Sequence, residues 1–78
     1  MTIEILGPGC ANCQRLERIV RDVVAEDGLD VRVLKVTDYA QIASYGVMAT
    51  PGLVVNGAVK VSGRVPTPAE VRSLLASA

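Results

Sequence analysis

The apolar residues of this 78-residue chain first change period at Gly7-Pro8-Gly9. Before that break Ile3 and Ile5 alternate around Glu4, the two-residue repeat of a strand over Thr2–Leu6. After it Leu16, Ile19, Val20, Val23 and Val24 recur at helical spacing along one face. Gly28 supplies a left-handed stop for that helix. Asp30–Val36, rich in Val, then reads as a second strand. Strand, helix and strand in this order predict a right-handed parallel βαβ unit. The alternation slips at Val33-Leu34, which points to cover on both faces or to a bulge.

The second half carries stronger local signals. Asp38 opens a short helix with Gln41 as its capping-box partner, and Gly46 stops it. Val47–Gly52 is a loop leading into Leu53-Val54-Val55. Asn56-Gly57 follows, before Ala58-Val59-Lys60-Val61, and is the strongest short hairpin signal a sequence carries. Thr67-Pro68-Ala69-Glu70 combines an N-cap, a Pro at the first helical position and a capping-box Glu. Val71, Leu74 and Leu75 share one face of that last helix, read as Thr67–Ala78. The order is β-α-β-α-β-β-α. It predicts an α/β fold with a four-stranded mixed sheet and helices on both faces.

Length allows one core, so residues 1–78 read as a single domain. Hydrophobic residues make up 50% of the chain and aromatic residues 3%, with no Trp and no Phe, so the core must be aliphatic. Eight basic and eight acidic residues cancel. That balance argues against a nucleic-acid footprint. No apolar run is long enough for a membrane span, and the first ten residues lack a secretory pattern. The expectation is a cytoplasmic monomer.

Chemistry has to come from Cys10 and Cys13, because the chain contains no histidine. Without histidine the nucleophile–base dyads of most hydrolases and the mixed Cys/His zinc sites are excluded. A staple across so small a ring would contribute only about 2 kcal/mol, and small stapled domains carry more bridges. Cys10 falls at the start of the first helix, and Cys13 joins its buried stripe. Residues three apart on a helix lie about 5 Å apart, within disulfide range. Backbone N–H groups at a helix start favour negative charge, so Cys10 is expected to form thiolate readily. Cys13, buried, is expected to stay a thiol until used. The pattern is an attacking thiolate beside a resolving thiol.

With Cys-Ala-Asn-Cys after a first strand, Tyr45-Gly46-Val47, and Thr50-Pro51 before a hydrophobic strand, the chain resembles the thioredoxin-fold family over essentially its whole length. In size it is similar to the small single-domain thioredoxin/glutaredoxin-like redox-active disulfide proteins. The resemblance implies a minimal thioredoxin fold and a thiol–disulfide oxidoreductase. Cys10 would be the nucleophile and Cys13 the resolving cysteine. Pro51 would be a cis-proline facing them, with Thr50 offering backbone hydrogen bonds to a substrate chain. A patch of Gly9, Ala11, Met48 and Ala49 would dock a partner protein. The implied partners are a protein disulfide and a separate reductase, with no cofactor beyond the disulfide and no resident metal.

The chain departs from thioredoxins proper in having Gly9 before the first cysteine and Ala11-Asn12 between the two. Ser62-Gly63-Arg64 keeps one glycine where glutaredoxins hold glutathione with two. Glu4, six residues before Cys10, matches the spacing of the acid that resembles a proton relay; a polar residue on a partly exposed strand face is the plainer reading. Arg15 and Arg18 read as the solvated face of the first helix, with Arg18 paired to Asp22. Steering of an acidic partner is their alternative. The competing function is Cu(I) carriage by the same two thiolates. Small copper-chaperone domains, however, run β-α-β-β-α-β and end in a strand.

Overall fold

The computed structural model describes residues 1–77. Its elements are β1 (Thr2–Leu6), α1 (Ala11–Glu26), β2 (Arg32–Val36), α2 (Tyr39–Ser44), β3 (Gly52–Val55), β4 (Ala58–Ser62) and α3 (Pro68–Ala76). This is the β-α-β-α-β-β-α order, folded as a minimal thioredoxin-like domain with one mixed sheet. The strands lie in the order β2-β1-β3-β4. β1 pairs parallel with β2, and β3 runs antiparallel to both β1 and β4. The last residue of the expected final helix, Ala78, lies outside the described residues.

Alternation along β1 and β3 separates two apolar clusters. Ile3, Ile5, Leu53 and Val55 point to one face, where they meet Leu16, Val20 and Val23 of α1 and Val71 and Leu75 of α3. Leu6 and Val54 point to the other and meet Ile42 and Val47. Every residue of β3 is buried, as a central strand covered on both faces requires. β2 lies at the sheet edge and buries none of its residues fully.

Three local expectations need correction. The β1–β2 register is unbroken, so of the two readings of the slip at Val33-Leu34 the bulge falls and partial cover on both faces holds, Val33 packing on the α1 side and Val36 on the α2 side. The irregularity falls instead between Leu53 and Val54, against β4. Asp38 does cap α2, accepting from the Ala40 N–H at 3.1 Å, but Gln41 forms no capping box with it. The box forms at α3, where Thr67 and Glu70 exchange both bonds. Arg18 and Asp22 form no ion pair; Glu17 and Arg21 do, at 2.9 Å. An acid placed N-terminal to its base is the favourable order at four-residue spacing, and Arg18-Asp22 has the reverse.

At the hairpin Asn56 and Gly57 both take positive φ, 50° and 83°, as a two-residue turn of this type demands. Asn56 also accepts the Thr2 N–H on its side-chain oxygen at 3.0 Å, tying the turn to the start of β1. The consequence for function lies at the opposite end of the sheet. There the end of β1, the start of α1 and the loop before β3 converge.

Candidate redox site

Cys10 occupies the N-cap of α1 in an extended conformation, and its Sγ accepts the Cys13 N–H at 3.2 Å. A sulfur stands where Ser, Thr or Asp usually stands at a helix start. Gly7-Pro8-Gly9 ends the strand and delivers the chain to that cap. The first turn of α1 holds no acidic residue, so nothing on the helix offsets its positive end. Once the disulfide opens, negative charge on Cys10 is favoured by that hydrogen bond and by the field of the helix.

Cys10 and Cys13 are joined in a disulfide, with their Cα atoms 5.1 Å apart. Their exposures differ sharply. Cys10 is exposed, whereas Cys13 is 4% exposed on the stripe of Leu16 and Val20. Only one sulfur can therefore be reached from outside.

Gly7 is part of this site, although the sequence offered it only as a strand breaker. A Cβ on Gly7 would lie 3.0 Å from the Cys13 Cβ and inside contact distance of its Sγ. The same position is 4.0 Å from the Thr50 Cβ, so Gly7 lies between Cys13 and Thr50. The Thr50–Pro51 bond is cis, and Pro51 is buried. Gly63 braces this loop from behind. Its N–H donates to the Pro51 carbonyl at 2.9 Å, and its φ of +77° together with an Ala49 Cβ 3.1 Å from any added Cβ makes a side chain there strained and tight. Being the one glycine just after β4 was the signal that could have found it.

Gly9, Ala11, Met48 and Ala49 are all exposed, Met48 completely. Glu4 is half-buried on the face of β1 opposite Ile3 and Ile5, and its carboxylate accepts the Tyr45 hydroxyl. That bond, with lesser help from burial, holds the Tyr45 phenol above its ordinary pKa. Among the described residues no group of three or more His, Cys, Asp or Glu could hold a metal ion, and no helix is long and apolar enough to cross a membrane.

Comparison with known proteins agrees with this geometry. Residues 1–76 match the family model described as "Thioredoxin domain". A protein named thioredoxin from Methanothermobacter thermautotrophicus is 44% identical over 75 residues, covering 96% of this chain and 97% of its own. Another, from Methanocaldococcus jannaschii, is 34% identical over 77 residues, covering 99% and 88%. A dithiol pair divided between a surface helix cap and a buried stripe, on a fold matched from end to end, leaves one conclusion: the chain belongs to the thioredoxin-domain family and is a thiol–disulfide oxidoreductase.

Proposed function

We propose that the chain reduces disulfides of partner proteins through Cys10 and Cys13. The observation that carries this is the unequal burial of the two bonded sulfurs. With the pair reduced, the Cys10 thiolate attacks one sulfur of a substrate disulfide. A Cys10–substrate bond forms, and the other substrate sulfur leaves as thiolate. Cys13 loses its proton and attacks the Cys10 Sγ, restoring the internal disulfide and expelling the second substrate sulfur. Two electrons pass to the substrate, whose thiolates take up the protons according to pH. A separate reductase returns two electrons to the protein.

In this scheme the substrate chain lies across Gly9, Ala11, Met48 and Ala49 and bonds to the Thr50 backbone beside cis-Pro51. Glu4, turned to the sheet face away from the α1 stripe that holds Cys13 and bonded to Tyr45, has no part in this scheme. The direction of flow follows from a cytosolic setting, where thiols are kept reduced. A Cys10–Cys13 potential near about −270 mV fits that setting, and one near about −120 mV moves the protein to an oxidising compartment.

The test of the exchange is Cys13→Ser. It should accumulate a mixed disulfide with an oxidised protein substrate, released by reductant, while Cys10→Ser accumulates none. Equal trapping by the two variants would sink the assignment of roles.

A further inference from the structure

The exposed face of α1 that begins beside Cys10 carries two arginines that no carboxylate answers. Ala11, Gln14, Arg15 and Arg18 line a shallow, open depression along that face. The Gln14 side chain is turned back to donate to the Gly9 carbonyl at 3.1 Å, joining the depression to the loop before the redox cysteine. Among the described residues neither Arg15 nor Arg18 forms an ion pair.

Of the acids on α1, Asp22, one turn beyond Arg18, forms no ion pair among the described residues, and the others are engaged away from the two arginines. Glu17 is held by Arg21 at 2.9 Å and by Lys35 at 3.3 Å. Glu26 and Asp27, at the far end of α1, are held by Arg72 of α3 at 2.7 and 3.0 Å. The two free guanidinium groups add to the positive helix end, so the approach to Cys10 is electropositive on a chain of zero net charge.

We infer that Arg15 and Arg18 dock an acidic segment of the protein whose disulfide Cys10 exchanges with, a reading that rests on the thiol–disulfide activity proposed above. An open surface depression suits carboxylates on a protein partner, whereas a small ligand needs enclosure. At about 1.5 Å of rise per residue, Arg15 and Arg18 lie about 7 and 12 Å along the helix from Cys10. An extended partner segment advances about 3.3 Å per residue. Its Asp or Glu residues therefore fall about two to four positions from the cysteine under attack. Guanidinium groups recognise such carboxylates through paired hydrogen bonds.

The test compares two peptides carrying the same disulfide, one with Asp and one with Lys at those positions, as substrates of the reduced protein. At low salt the Asp peptide should react about tenfold faster or more. The ratio should fall toward one in about 0.5 M salt. Arg15→Gln/Arg18→Gln should bring the ratio near one, and Arg15→Glu/Arg18→Glu should invert it. Because the ratio is taken within one protein, altered Cys10 reactivity cancels. A ratio that neither salt nor these substitutions move overturns the docking inference. A neutral small disulfide separates the two readings. If the unsubstituted protein reduces it but shows no preference between peptides, docking alone fails; if it reduces neither disulfide peptides nor the neutral compound, the redox reading fails and takes this one with it.

Discussion

Gly7 and Cys13 limit each other. The Cys13 side chain is buried against the Gly7 backbone, which is itself pinned by its N–H bond to Val36 O at 2.9 Å. Neither partner can retreat easily, so an added methyl must displace the sulfur or the end of β1. Overpacking of this kind costs about 1–3 kcal/mol. Gly7→Ala should lower stability by that order in urea unfolding and slow closure of the Cys10–Cys13 disulfide, measured by thiol alkylation. Unchanged stability together with an unchanged closure rate would show that the contact is not limiting. The same site illustrates what was legible from residues alone. The placement of Cys10 at a cap and Cys13 on a stripe follows from spacing. The packing of Cys13 on Gly7, with Thr50 on the other side of that glycine, does not, because Thr50 arrives through a different part of the chain.

At the scale of elements, α1 and α3 use their starts differently. The cap of α1 is a sulfur available for chemistry, and its first turn is kept free of acids. The start of α3 is closed by Thr67, Pro68 and Glu70 and serves stability. Glu70 accepts Arg64 through two bonds, at 3.0 and 2.8 Å, and also the Thr67 N–H at 3.2 Å. The Arg64 hydrogen bond first, then the Thr67 backbone, lowers the Glu70 carboxyl below its ordinary pKa of 4.5. A carboxylate depressed in the folded state contributes its full stability above the unfolded value and loses it as pH falls through the folded one. Glu70→Gln should therefore lessen the drop in unfolding free energy between neutral pH and about pH 3, by a small amount because the pair is exposed. An identical acid limb in both proteins would remove Glu70 from the linkage. The box at α3 was readable because it is contained in four residues. The absence of an Arg18–Asp22 pair is local as well, because at four-residue spacing a base placed N-terminal to its acid is the weaker order.

Across the whole molecule, the zero net charge conceals an uneven layout. Cross-element pairs take up three acids of α1 and its cap, Glu17 reaching Lys35 on β2 and Glu26 and Asp27 reaching Arg72 on α3, while Asp22 stays unpaired among the described residues. Beside Cys10 the unpaired charges on α1 are the guanidinium groups of Arg15 and Arg18. Composition argued correctly against a basic protein as a whole but carries no information about where charge remains unpaired. The core divides likewise between two faces, a larger aliphatic one under α1 and α3 and a smaller one under α2. Element order, the Asn56-Gly57 turn, the helix stripes and the cysteine spacing are local properties, set by backbone preference and by periods of two and 3.6 residues, and the amino-acid sequence by itself determined them. The strand order β2-β1-β3-β4, the Gly63–Pro51 brace, the reach of Tyr45 across 41 positions to Glu4 and the freedom of Arg15 and Arg18 were decided only by the tertiary structure. Each depends on which residues distant in the chain share a face and a register, and that follows from the simultaneous burial of both sides of the sheet rather than from any one segment.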